Sequence, residues 1–392
     1  MVEPPRIVLG VTVDMSLRLL RGFPQYLAEN GWDVHVVSAP GPALDELAGT
    51  PGVTTHAITM TRQPSPVRDV MSLVAWVRLL TRRRPDLISV GTPKAGLLGG
   101  LAGWLVRVPH RVYLLRGLRL ETSTGIRRKI LASAERLAIS SSHHVLSVST
   151  SLRAKAIALG LADPDKISVL GLGSSNGVEA DDFSRKNFSD DEVARLRHHL
   201  GLVEGVPVIG FVGRLTEDKG LRVLIGARDA LVQERLDHQL LVVGGIEAGD
   251  RYPDGFNSNA GGRPAVVTGQ VTKPEIYFQL MDILCLPTLR EGFPNVVLEA
   301  AAAGVPTVTT TATGAVDSVV HGETGLIAEV GSSEDLSRQL AILLRDAGRR
   351  RAMGKQAERF VRKNYDRSLV WARTAAFYSH AISADASRSK AT

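Results

Sequence analysis

The sequence predicts an α/β protein made of two doubly wound, parallel-sheet units. Three observations predict it. The chain has 392 residues, about twice a typical domain of roughly 100–200 residues. Short apolar, β-branched runs alternate with longer helical patterns, as in a parallel sheet covered by helices. The alternation then restarts after a polar stretch near the middle of the chain.

The elements follow in order. Residues 7–11, 34–37, 87–90, 112–115, 145–148 and 167–170 read as buried strands, because each is short and almost uniformly apolar. The clearest helix spans 65–84. Ser65 suits its cap and Pro66 its first turn. Val70, Leu73, Val74, Val77 and Leu80 recur at helical spacing, and Arg82-Arg83-Arg84 suits the negative end of the helix dipole. Residues 181–205 are polar and charge-rich and read as a connecting region. A second series of strands follows at 208–212, 240–243, 265–268, 283–286, 307–310 and 326–327. The expected organisation is a Rossmann-like domain over 1–200 and a second over 201–365. A C-terminal helix from 366 packs back on the first domain, and a small, polar, disordered tail runs from about Ser383 to Thr392. Ligands of such sheets sit at the carboxyl ends of the strands, so the expected site is the cleft between the two domains.

Composition narrows the function. Lys plus Arg is 47 and Asp plus Glu is 40, a formal charge of +7. The single Cys excludes a disulfide framework and a thiolate-rich zinc site. Cys285 lies inside a predicted strand and reads as core rather than nucleophile, and the His residues show no metal spacing. The longest apolar run, 97–106, is short of the roughly 18 residues a spanning helix needs. The start, Met1-Val2-Glu3-Pro4-Pro5-Arg6, shows no cleavage signal. The expectation is a soluble cytoplasmic protein. Basic residues cluster at Arg107, Arg111, Arg116, Arg119, Arg127, Arg128, Lys129 and Arg136, against Glu121 and Glu135 in the same stretch. Without an RNA-binding aromatic signature or a recognition helix, this points away from nucleic acid and towards a phosphate or an anionic membrane surface.

Two segments carry chemistry. In Arg290-Glu291-Gly292-Phe293-Pro294-Asn295, Pro294 suits the first turn of a helix that runs through Glu299 and Ala300–Ala303 to Gly304 and Pro306. Glu291 then sits in the loop after a strand and Glu299 about one turn inside the helix. The helix start offers unpaired N–H groups to an anion. Two carboxylates beside it make sense if they accept hydrogen bonds from sugar hydroxyls; the plainer alternative is a favourable acidic first turn. The second segment, Gly213-Arg214-Leu215-Thr216-Glu217-Asp218-Lys219-Gly220, follows a strand. Its two cations can converge on a diphosphate while Gly213 permits close backbone approach. Its spacing is not that of a Walker A loop, and alone it also fits an exposed polar turn.

Together these segments resemble glycosyltransferases of family 4, of GT-B architecture, with two Rossmann-like domains facing each other across a cleft. The resemblance rests on the E-x7-E frame Glu291…Glu299, on Gly213-Arg214…Lys219-Gly220 and on His321-Gly322-Glu323-Thr324-Gly325-Leu326. The first half is similar to the bacterial polysaccharide branch through Gly91-Thr92-Pro93-Lys94-Ala95-Gly96, Arg116-Gly117-Leu118-Arg119-Leu120-Glu121 and Gly173-Ser174-Ser175-Asn176-Gly177-Val178. That branch transfers sugars to polyprenyl-diphosphate-linked acceptors.

The resemblance implies roles. Glu299 would bind the ribose of a nucleotide, most simply UDP. Glu291 would hold a donor-sugar hydroxyl with the backbone of Gly292, Phe293, Pro294 and Asn295. Arg214 and Lys219, with Gly213, would neutralise the diphosphate, filling the Lewis-acid role without a metal or cofactor. The E-x7-E type retains anomeric configuration. Two departures stand out. The Gly-Gly turn of many members is replaced by Gly10-Val11-Thr12-Val13-Asp14-Met15-Ser16, in which Gly10 and Ser16 are the donor-site candidates. A His of many members is replaced by Arg116, which cannot act as a base; Arg116 and Lys94 are expected to bind the acceptor. The resulting expectation is a retaining, metal-independent glycosyltransferase using a nucleotide sugar and a lipid-linked acceptor, peripheral on the inner membrane face. A small-molecule acceptor and an inactive sugar-nucleotide-binding subunit are the alternatives.

Overall fold

A computed structural model of the chain describes residues 3–61, 63, 65–246 and 262–388. The chain forms two compact units, Met1–Asn176 together with Ser368–Thr392, and Gly177–Arg367.

Unit 1 is a seven-stranded parallel sheet of order β3-β2-β1-β4-β5-β6-β7. Its strands are β1 (Arg6–Gly10), β2 (Asp33–Ser38), β3 (Val53–Ala57), β4 (Leu87–Gly91), β5 (His110–Leu115), β6 (His144–Ser147) and β7 (Ile167–Val169). Every residue of β4 is buried, as expected where helices cover both faces of a parallel sheet. Leu9 of β1 lies between Val36 of β2 and Ser89 of β4. The order reverses between β1 and β4, so the loops after these two strands flank the crevice where such sheets bind ligands. The helix Arg367–Arg388 closes this unit. Its Tyr378 is fully buried and shares a 2.7 Å hydrogen bond with Ser89. Its Trp371 donates to Asn176 Oδ1 at 2.6 Å.

Unit 2 repeats the plan with six strands, in the order β10-β9-β8-β11-β12-β13. They are β8 (Val208–Val212), β9 (Gln239–Val243), β10 (Val266–Val267), β11 (Ile283–Cys285), β12 (Thr307–Thr310) and β13 (Gly325–Ala328). Here the order reverses between β8 and β11. Ile209, Phe211, Ile283, Cys285, Val308 and Leu326 from these strands pack against Leu224, Leu231, Leu336 and Leu340 from the covering helices. Burial pushes the Cys285 thiol far up, so it stays protonated in the core.

Five local expectations are corrected. β3 escapes the apolar-run criterion because Val53-Thr54-Thr55-His56-Ala57 is a mostly polar edge strand. The helix Pro66–Arg83 is not capped by the Ser65 side chain; instead the Ser65 N–H donates to Asp69 Oδ2 at 3.1 Å. Its core face is Ser72, Trp76 and Leu80, while Val70 and Val74 face outward. The division falls after Asn176 rather than near residue 200. Residues 181–205 hold the helix Asp190–His199, started by a capping box of Ser189 and Glu192. This segment is fastened to unit 2 by Phe183 against the Phe278 ring and by Gln279 donating to Phe183 O at 2.9 Å. At the other end the last helix continues through Ser383 to Arg388; the rest of the expected tail, 389–392, lies outside the described residues.

Candidate functional site

The strongest cluster lies in unit 2, on the loops after β8 and β11. These strands are neighbours, so both loops leave the same edge of the sheet at its switch point. The first loop turns at Gly213 and reaches Gly220, whose φ is +73°. A Cβ at Gly220 would stand 1.8 Å from Pro287 O, so only glycine lets the two loops touch there. Leu289 N and Thr288 Oγ1 both donate to Asp218 O, at 2.9 and 3.1 Å.

Charge pairs complete the junction. Lys219 Nζ is hydrogen-bonded to Glu291 Oε1, and Arg290 Nη2 to Asp218 Oδ2 at 2.8 Å. The dipeptides Asp218-Lys219 and Arg290-Glu291 therefore pair in both directions. Thr216 Oγ1 donates to Asp218 Oδ1 at 2.5 Å. Burial alone would raise the Asp218 carboxyl. The Thr216 hydrogen bond and the charges of Arg290, Lys219 and Arg214 outweigh it and hold the group below its ordinary value. The effect of Arg214 puts its guanidinium in the same field.

Behind Glu291 the loop is backed by the chain after β12. Glu291 N donates to Thr313 O at 2.8 Å. A Cβ at Gly314 would meet Gly292 O at 2.3 Å. The helix Asn295–Ala302 starts at this point, with Pro294 as its N-cap. It buries Val297, Leu298 and Ala300 and leaves Asn295 and Glu299 half-buried. Phe293 packs on the Tyr365 ring at 5.3 Å. Asn295 Oδ1 is buried without a hydrogen-bond partner among the described residues.

In unit 1 the corresponding loops are tied by hydroxyls. Thr12 N donates to Thr92 Oγ1 at 3.0 Å, the two Oγ1 atoms are 2.7 Å apart, and Ala95 N donates to Thr12 Oγ1 at 3.0 Å. Thr92 holds φ at +81°, a strained value for a β-branched residue. Gly10 ends β1; a Cβ there would meet the Trp76 ring at 2.7 Å, so its small size makes room for that indole. Ser16 lies in the short 3-10 helix Asp14–Leu20. Lys94, in the first turn of Pro93–Leu105, is held by Asp69 Oδ1 at 2.7 Å and by Gln63 O at 2.5 Å. Arg116, just after β5, donates to Leu19 O at 3.2 Å. Its Nε is buried without a partner among the described residues, and burial pushes its pKa down to about 10. It lines a cavity of about 50 Å³ with Ser147, Asn176 and Tyr378.

Comparisons with known proteins bear on this geometry. Residues 206–346 match the family described as glycosyl transferases group 1, and residues 20–173 match the glycosyl transferase 4-like domain. The capsular polysaccharide biosynthesis glycosyltransferase CapM of Staphylococcus aureus is 35% identical over 370 residues, 94% of this chain and 95% of CapM. The chain belongs to the group 1 glycosyltransferases. Among solved structures, a glycosyltransferase from Rickettsia africae aligns with a TM-score of 0.80 at 17% identity, over 97% of this chain and 99% of that one. HepE of Anabaena, solved in complex with UDP, aligns at 0.78 and 20% identity, over 96% and 99%. The two parallel-sheet α/β units have the GT-B fold of these enzymes.

Within this glycosyltransferase, unit 2 gathers Gly213, Arg214, Lys219, Glu291, Gly292, Phe293, Pro294, Asn295 and Glu299 around one switch point. Gly10, Ser16, Lys94 and Arg116 belong to unit 1. The sequence reading missed Asp218 and Arg290, although each stands beside a residue it singled out. The signal was the reversed charge order of the two dipeptides. One D-x-D spacing, Asp163-Pro164-Asp165, was also passed over. It forms the turn before β7, at the sheet edge opposite the loops that carry Lys94 and Arg116.

Proposed function

We propose that this glycosyltransferase moves a hexosyl or N-acetylhexosaminyl unit from a UDP-sugar to a polyprenyl-diphosphate-linked glycan, with retention of configuration and without a metal. The observation that carries the donor half is the paired-loop junction of Arg214, Lys219 and Glu291 at the unit 2 switch point. CapM supports the polysaccharide setting, and the UDP complex of HepE supports the choice of nucleotide.

Lys219 is paired with Glu291. A bound diphosphate is a stronger partner for the ammonium than one carboxylate. Its arrival draws Lys219 onto phosphate and frees Glu291 to accept from a donor-sugar hydroxyl. Glu299 accepts from the ribose hydroxyls, and the N–H groups at the start of the helix Asn295–Ala302 face the anion. As the bond from the anomeric carbon to the diphosphate breaks, charge grows on the leaving oxygens. Arg214 and Lys219 stabilise that charge more in the transition state than in the ground state. The acceptor hydroxyl attacks from the face the diphosphate leaves, and its proton passes to the departing diphosphate oxygen, giving UDP and the new glycosidic bond. Lys94 and Arg116 of unit 1 serve the acceptor, whose diphosphate stays at the cytoplasmic face of the membrane.

The test has two stages. UDP should raise the unfolding temperature more than GDP does, because a ligand of the folded state stabilises it by mass action. With the matching UDP-sugar, the product glycosidic bond should keep the donor's anomeric configuration by NMR, and EDTA should leave turnover unchanged. Preference for GDP, inversion, or loss of turnover in EDTA would each overturn the corresponding part. Transfer to small soluble acceptors alone would remove the lipid-linked one.

A further inference from the structure

Three helices of unit 1, Pro66–Arg83, Pro93–Leu105 and Gly125–Ser140, pack side by side. Each joins parallel strands in the same direction along the sheet, so right-handed crossovers put all three on one face. The middle helix turns Ala95, Gly96, Gly99 and Ala102 inward and ends in Trp104, 54% exposed, and Leu105. The first helix buries Ser72, Trp76 and Leu80. By the helical period of about 3.6 residues, Val67, Val70, Met71 and Val74 form a stripe on its opposite side, and all four are exposed. The third buries Glu135, Ala138 and Ile139. Ile126, Ile130 and Leu137 lie opposite and outward, with Ile126 78% exposed.

Exposed large apolar side chains on three adjacent helices are more than the scattered single residues that need no explanation. Its charges say what covers it. Arg127 flanks the Ile126–Ile130 stripe on one side, and Lys129 and Arg136 flank it on the other; Arg68, Arg78 and Arg107 border the other helices, and all are exposed. The only carboxylates on these three helices are Asp69, paired with Lys94 at 2.7 Å, and Glu135, which is buried. The outer face is therefore apolar and cationic, with no acidic side chain to meet a basic partner.

We propose that this three-helix face docks on an anionic phospholipid bilayer. The outward Val, Met, Ile and Trp side chains enter the headgroup region, while the Arg and Lys side chains reach lipid phosphates from either side of the stripes. This names the surface for the membrane-face setting proposed above. It needs no acceptor, so the two readings fail separately.

The test is co-sedimentation of the full chain with vesicles of phosphatidylglycerol and phosphatidylethanolamine, against vesicles of phosphatidylcholine alone. Binding is expected to the first, weakened by salt, with quenching of Trp104 by brominated acyl chains that Trp104→Phe removes. Each basic residue near an anionic surface multiplies partitioning by about fivefold. Arg127→Glu with Lys129→Glu and Arg136→Glu should therefore lower it at least about 100-fold. Val70→Ser with Ile126→Ser and Ile130→Ser should lower it about tenfold, and the loss should persist at high salt. All these side chains are exposed, so unfolding temperatures should not move. Equal binding to both vesicles, none to anionic vesicles at low salt, or variants that bind like the parent would overturn the proposal. So would a dimer in light scattering that the serine variant dissolves, because a second copy would then cover the face.

Discussion

The two units share one strand order around their switch points, yet they join the flanking loops by different chemistry. In unit 2 the loops after β8 and β11 are held by two ion pairs, Lys219 with Glu291 and Asp218 with Arg290. In unit 1 the loops after β1 and β4 are held by two neutral hydroxyls, Thr12 and Thr92. An ion pair can be opened by a better anion, because the cation loses nothing when phosphate replaces carboxylate. A hydroxyl pair that also caps a helix N–H has no such exchange to make. The same topology thus yields an ion-paired junction that an anion can open and a neutral junction that it cannot.

The largest effects should come from breaking the responsive junction. Arg214→Ala and Lys219→Ala should each lower kcat by about 10²–10³-fold, as deletion of an oxyanion donor does, with a smaller change in donor KM. Asp218→Asn keeps both cations but releases Arg290. It should cost about tenfold in kcat through misplacement of the loop, and Asp218→Glu should recover part of it. A loss confined to KM in any of these would make the junction a docking feature rather than a catalytic one.

Glu299→Ala comes next. Charge-assisted hydrogen bonds are worth roughly 1.5–3 kcal/mol, so affinity for UDP should fall at least about tenfold by calorimetry while the fold persists. Unchanged affinity would remove Glu299 from the nucleotide site. The neutral junction should behave differently. Thr12→Val removes the hydroxyl's bonds to Thr92 Oγ1 and Ala95 N, leaves the backbone bond from Thr12 N, and should cost about 1 kcal/mol of stability. UDP affinity should not move, and a change there would show that unit 1's frame also responds to the ligand.

Much of this was legible in the sequence for local reasons. A buried parallel strand is a short apolar run, so Leu87–Gly91 and Gln239–Val243 announce themselves. Pro294, Ala300–Ala303 and Gly304 delimit their helix, and that delimitation puts Glu291 on a loop. Helical spacing finds an apolar stripe but not the side it faces. In Pro66–Arg83 the outward Val70 and Val74 carry the periodicity as well as the inward Trp76 and Leu80. Pairing between distant residues is also hidden. Asp218 and Arg290 are 72 positions apart, and Arg116 meets Leu19 O across 97. The unit boundary moved for the same reason, since residues 181–205 are assigned by Phe183 meeting Phe278 rather than by their own composition.

The smallest effect sets a buried carboxyl that has cations against one that has none. Asp218 is surrounded by Arg290, Lys219 and Arg214 and stays below its ordinary value. Among the described residues Glu135, on the helix Gly125–Ser140, has only the Tyr113 hydroxyl, which donates to it at 2.7 Å. Burial pushes Glu135 up from 4.5 to about 7, and the Tyr113 hydrogen bond offsets only part of that. Between those two values the folded chain holds a proton that the unfolded chain has released, so stability falls as pH rises through that window. Above it, an unpaired buried charge costs at most roughly 3 kcal/mol. Glu135→Gln removes that charge and still accepts from Tyr113, but it buries an extra N–H group, at about 1–3 kcal/mol. The variant should therefore be less stable than the parent at pH 5 and more stable, by about 1 kcal/mol, at pH 8. Denaturant unfolding at the two pH values reads the crossing directly. A difference of the same sign at both would mean that the carboxyl ionises freely, and that Glu135 has a cationic partner as Asp218 does.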